Sequence, residues 1–139
     1  KFSDEEIQEI EKDLTSFLED WSAHGQQLEA SFITKYNRFI IIAVNQEVQA
    51  ATGCSIDASV AFIQNLEQKY EVDLLDKMNV TFKMGEHVAF KPLIDFKKLA
   101  KEKAVSGNTI VFNNLVNTLG EWQDFWEVPA SESWHNRFF

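Results

Sequence analysis

Ile7, Ile10, Leu14, Phe17, Leu18 and Trp21 fall three and four residues apart, the spacing that gathers apolar side chains on one stripe of an α-helix. Ser3 stands just before the stripe and Glu6 three residues later, which predicts an N-cap closed by a capping box, with Phe2 placed to staple onto Ile7. Asp4, Glu5 and Glu6 occupy the positive end of the helix dipole. Gly25 is the expected stop, as a left-handed residue at the helix C-terminus.

Beyond Gly25 the period changes. Leu28, Ala30 and Phe32 alternate with polar or outward residues, predicting a strand that runs to Lys35. Tyr36-Asn37 predicts a tight turn, because Asn tolerates positive φ. Phe39 to Val44 is apolar at every position, which predicts a central strand covered on both faces. Residues 46–53 read as a loop. A second helix is expected from Ser55 or Asp57, with Ile56, Val60, Ile63, Leu66 and Tyr70 as its stripe and Phe62 beside it.

Residues 79–83 and 88–90 predict a hairpin around Gly85. Pro92 suits the first turn of a short lysine-rich helix that faces Phe96, Leu99 and Ala100 inward and ends at Gly107. Val111, Phe112, Leu115, Val116, Leu119 and Trp122 then recur at helical spacing; Ile110-Val111-Phe112 also fits a short strand, and helix is the preferred reading. Pro129 breaks the chain before a short C-terminal stretch.

The order is helix, hairpin, helix, hairpin, then further helices. The fold class expected is α+β, a ferredoxin-like antiparallel sheet with helices on one face plus C-terminal helices. One domain over residues 1–139 is expected, with 121–139 as an aromatic-rich C-terminal segment. A ferredoxin-like unit needs one more strand before its first helix. That strand would lie upstream of Lys1, where the chain opens without Met, or be supplied otherwise.

Composition fits this picture. The 12 Phe and 4 Trp can fill a sizeable core, and the 5 Gly and 2 Pro are too few for a linker-rich chain. The longest apolar run, Phe39 to Val44, is far shorter than the roughly 20 residues of a membrane span, so none is expected. A net charge of −9 opposes non-specific nucleic-acid binding. The charge is uneven. Residues 1–29 hold nine acids against two bases, −7, whereas residues 91–105 hold five lysines against two acids, +3, which reads as a solvated helix face. Cys54 is the only cysteine, so no intramolecular disulfide can form; that suits a reducing, cytoplasmic setting.

Cys54 is also the first chemical candidate. It lies in Gly53-Cys54-Ser55-Ile56-Asp57, at the expected entrance of the second helix. The plain expectation is a small buried residue at a turn that needs Gly53. The alternatives are a ligand-binding turn formed by Gly53, Cys54, Ser55 and Asp57, or a thiol activated by helix amides and opposed by the Asp57 charge. His24, His87 and His135 lack metal-ligand spacing, and no residue pattern points to a metal or cofactor. A Cys54–His24 or Cys54–His135 dyad would need long-range convergence. The acids of the first helix spread around its polar face, as solvation requires.

The C-terminal segment carries the denser signal. Trp122, Phe125, Trp126, Trp134, Phe138 and Phe139 are six of the 18 aromatic residues. Such density is either docked on the domain or sits at an interface. Trp122, Phe125 and Trp126 continue a helical stripe and are expected to be buried. Trp134, Phe138 and Phe139 follow Pro129 and are the expected interface residues. Residues 121–139 hold four acids against Arg137 alone, which disfavours a nucleic-acid stacking platform.

Four segments carry a resemblance: residues 36–41 (Tyr-Asn-Arg-Phe-Ile-Ile), 52–57 (Thr-Gly-Cys-Ser-Ile-Asp), 108–116 (Asn-Thr-Ile-Val-Phe-Asn-Asn-Leu-Val) and 126–130 (Trp-Glu-Val-Pro-Ala). With them nearly the whole chain resembles a family of short bacterial proteins often labelled "ABC transporter ATPase". The resemblance brings no catalytic residues with it. An ABC ATPase needs a GxxxxGK[ST] loop whose amides and lysine cradle phosphates. The glycines here, at 25, 53, 85, 107 and 120, form no such loop, and no Gly-Lys pair exists. The expected function is a non-enzymatic interaction or regulatory module, binding a protein partner or a second copy of itself. The alternative is a small enzyme or anion binder built on Gly53–Asp57.

Overall fold

A computed structural model of the chain describes residues 2–23, 25–47 and 49–139. The chain gathers into two compact units, Lys1–Leu75 and Asp76–Phe139. The α+β class is borne out: four α-helices accompany strands that pair antiparallel throughout the described residues.

In the first unit, helix α1 spans Asp4–Asp20. The capping box is present: Ser3 Oγ accepts from the Glu6 amide at 3.1 Å, and the Ser3 amide donates to Glu6 Oε1 at 2.9 Å. The stripe is buried at Ile7, Ile10, Leu14 and Leu18. Trp21 ends the helix in an extended conformation. Gly25 is not the stop; its φ of 76° serves the turn between two short strands, β1 (Ser22–Ala23) and β2 (Gln26–Gln27). A helix can end on an extended residue, which leaves the left-handed glycine to the turn.

β3 (Ala30–Lys35) and β4 (Phe39–Val44) form the expected hairpin, with Tyr36 and Asn37 both at positive φ. β4 is not a central strand. Among the described residues it pairs only with β3, and each of its six residues is half-buried. Phe32 and Ile42 lie directly opposite each other, and both pack into the unit's two apolar clusters, which they join. Helix α2 spans Gly53–Tyr70 and starts earlier than expected, capped by Thr52. Its inward face is also rotated. Ser55 and Leu66 are buried and Phe62, Ile63 and Tyr70 pack inward, while Ile56 is 52% exposed. The carbonyl of Ser55 accepts the Trp21 indole N–H at 2.7 Å, which fixes that rotation.

In the second unit, β5 (Asn79–Met84) and β6 (His87–Pro92) make the hairpin around Gly85, whose φ is 65°. Helix α3 spans Leu93–Lys101, with Phe96 fully buried and its lysines in solvent. Its end is not Gly107. Lys103 takes the left-handed position at φ 60°, and the Ala104 amide reaches back to the Leu99 carbonyl at 2.9 Å. Residues 110–112 form a strand, β7 (Ile110–Phe112), against the helical expectation, because β5 and β8 (Glu127–Pro129) pair with it from either side. The sheet order is β6-β5-β7-β8. A short helix, α4 (Leu119–Phe125), precedes β8, and two 3-10 turns, Ala130–Glu132 and Trp134–Phe138, close the chain. Val80, Phe82, Phe96, Val105, Val111 and Ala130 make the core.

The ferredoxin-like refinement asks for one continuous sheet. Hydrogen bonding divides the described strands among three: β1-β2, β3-β4 and the four-stranded sheet.

Candidate functional site

The Gly53–Asp57 turn is built by local capping. Ser55 Oγ accepts from the Thr52 amide at 2.6 Å and donates to the Thr52 carbonyl at 2.9 Å, while the Ser55 amide bonds Thr52 Oγ1 at 3.2 Å. Ser55 is therefore a buried structural residue, absorbed by the helix start. Cys54 is exposed, against the expectation of a buried thiol. The capping explains this: Thr52 and Ser55 turn inward, and the helix then carries Gly53, Cys54 and Asp57 to the solvent side. His24, the sequence-nearest dyad candidate, lies outside the described residues. His135 belongs to the other unit, where it is 1% exposed. Its Nδ1 lies 2.6 Å from Ser133 Oγ, its ring stacks on Trp134, and burial lowers its pKa from 6.5 to about 4. That is the environment of a core histidine. His87 is exposed on β6. Among the described residues no three His, Cys, Asp or Glu side chains gather as a metal site.

The expected interface residues Trp134 and Phe138 are partly buried and pack against the core of the second unit, whereas Phe139 is 46% exposed. His135, Phe138 and Phe139 all lie edge-on to Phe96, at ring separations of 6.0, 5.7 and 6.2 Å. Of the three aromatics expected inside, Trp126 is buried, with its indole N–H on Asn114 Oδ1 at 2.9 Å, and Trp122 is half-buried. Phe125 is 54% exposed, because α4 stops at Phe125 and cannot extend the apolar stripe.

The feature that sequence reading missed is a groove in the first unit. It has a volume of about 620 Å³ and runs between α1 (Thr15, Leu18, Glu19) and the six consecutive residues 27–32. The lining takes in Gln27 to Glu29 ahead of β3 and Ala30 to Phe32 within it; Gln27 already pairs with Ser22, and the Leu28 amide donates to the Trp21 carbonyl at 2.9 Å. β4 occupies one edge of β3, and the other edge pairs with no described strand. Leu18 and Leu28 are buried beneath it; Glu19, Glu29 and Ser31 are exposed. Neither Glu19 nor Glu29 has a cationic partner among the described residues.

Comparison with protein-family models, with curated proteins and with solved structures returns no match. Among the described residues no helix is long and apolar enough to cross a membrane.

Proposed function

We propose that the chain is a non-enzymatic interaction module that binds a protein partner. The observation that carries this reading is the open groove beside β3, a strand whose second edge pairs with no described strand, an arrangement that can receive another chain. The alternative is a small enzyme or anion binder on the Gly53–Asp57 turn. Its support is the exposure of Cys54 beside the first amides of α2. The interaction reading draws on more of the surface. Of the C-terminal aromatics expected at an interface, Phe139 keeps enough exposed ring to meet a partner or a second copy. The resemblance to short bacterial proteins labelled "ABC transporter ATPase" fits a compact chain of this kind, and these residues offer no phosphate loop to support that label's chemistry. A reducing, cytoplasmic setting agrees with one unpaired cysteine.

The test is retention. The immobilised chain should retain a specific protein from an extract of its own cells, and Cys54→Ala should retain it equally. Retention lost in Cys54→Ala, together with a turnover that depends on the thiol, would favour the enzyme instead.

A further inference from the structure

We infer that the β3 edge takes up an extended basic peptide segment of a partner protein as an added strand. The inference rests on the interaction reading above and names the partner's chemistry.

The backbone supplies the first argument. The Asn45 amide donates to the Glu29 carbonyl at 2.8 Å, so Glu29 and Asn45 form a hydrogen-bonded antiparallel pair. Pairing continues through Ala30↔Val44, Ser31↔Ala43, Phe32↔Ile42, Ile33↔Ile41 and Thr34↔Ile40. Hydrogen-bonded and non-bonded pairs alternate along an antiparallel ladder. Ser31 and Ile33 therefore bond to β4, while Ala30, Phe32 and Thr34 turn their N–H and C=O groups the other way. No other described strand pairs with β3, so these groups are left as a strand template, and two of the three residues, Ala30 and Phe32, line the groove.

The lining supplies the second. A strand laid here would alternate its side chains between two surroundings. The lining offers that strand the apolar side chains of Leu18 and Phe32, and the Glu19 and Glu29 carboxylates with the Ser31 hydroxyl.

Charge selects the occupant. The first unit holds 14 acids against 5 bases, −9, and the second holds 8 against 8, so the whole net charge of the chain lies in the unit that carries the groove. A second copy of this surface would be repelled, whereas a basic segment is drawn in and meets the Glu19 and Glu29 carboxylates, neither of which has a cationic partner among the described residues.

Fluorescence anisotropy on the full chain tests this. The probe is a fluorescein-labelled ten-residue peptide alternating Val and Lys. Binding in the micromolar range that weakens at least about tenfold from 50 to 500 mM salt is expected. Replacing Lys by Glu in the peptide, or N-methylating its alternate amides, should each abolish it. The double variant Glu19→Gln/Glu29→Gln should weaken binding about tenfold. Glu5→Gln/Glu47→Gln removes the same charge from the same unit away from the groove and should leave it unchanged. Binding that survives N-methylation, or equal loss in both double variants, overturns strand addition in favour of diffuse charge attraction. If no peptide binds while the immobilised chain still retains its partner, the groove assignment is wrong and the interaction reading stands. If neither is seen, both fall.

Discussion

His135 shows how a buried side chain ties stability to pH. Its pKa is lowered from 6.5 to about 4 by burial, so the folded chain holds the ring neutral where the unfolded chain would protonate it. Between those values the unfolded state binds the additional proton, so stability is complete above about pH 6.5 and declines as pH falls toward 4. Urea titrations at stepped pH should show this slope, and His135→Gln should flatten it even if the variant starts from lower stability. An unchanged slope would assign the pH response to other groups. Cys54 poses the opposite case. Because it is exposed, a thiol reagent should label it as fast in the native state as after unfolding. Cys54→Ser should shift stability by no more than about 0.5 kcal/mol, the range of ordinary surface changes. Slow native labelling would mean that the residue is covered.

At the scale of elements, what the sequence made legible is what local chemistry decides. The capping box of α1, its buried stripe and the Tyr36-Asn37 turn all depend on residues within a few positions of one another. What it hid depends on distant partners. Val111 and Phe112 fit a helical stripe with Leu115 and Leu119, yet both are buried because β5 and β8 flank them and residues beyond the sheet cover both faces. The rotation of α2 was hidden for the same reason, since the Ser55 carbonyl is held by an indole 34 residues away. The groove was least legible of all. The pattern of apolar residues does not say which strand edges stay unpaired, and only the pairing shows that no described strand takes the second edge of β3. The C-terminal 3-10 turn also changes role. Trp134 and Phe138, which the sequence places at an interface, are partly buried against the core, and His135 and Phe138 lie edge-on to Phe96. Removing residues 133–139 should expose Phe96, at about 1.5–3 kcal/mol per large apolar side chain uncovered. The cooperative unfolding of the second unit should then be lost or fall to a much lower temperature. A truncated chain that melts like the intact one would return those aromatics to the surface.

At the scale of the molecule, two units mean two cores with little chemistry in common. The first is built where α1, α2 and a two-stranded hairpin meet, the second on one face of a four-stranded sheet with α3. Each unit buries its own apolar residues, two joined clusters in the first and one in the second, so scanning calorimetry should resolve two heat-absorption steps rather than one. The partition of charge gives those steps different sensitivities. Crowding 14 acids and 5 bases into the first unit sets like charges against one another in the compact state, and the 8 and 8 of the second do not. Added salt relaxes that strain in one half only. Raising sodium chloride from 20 to 300 mM should lift one calorimetric peak by a few degrees and leave the other in place. A chain whose peaks moved together would be melting as one body. If they separate as expected, the salt of the surrounding medium sets which half lets go first when the protein is heated.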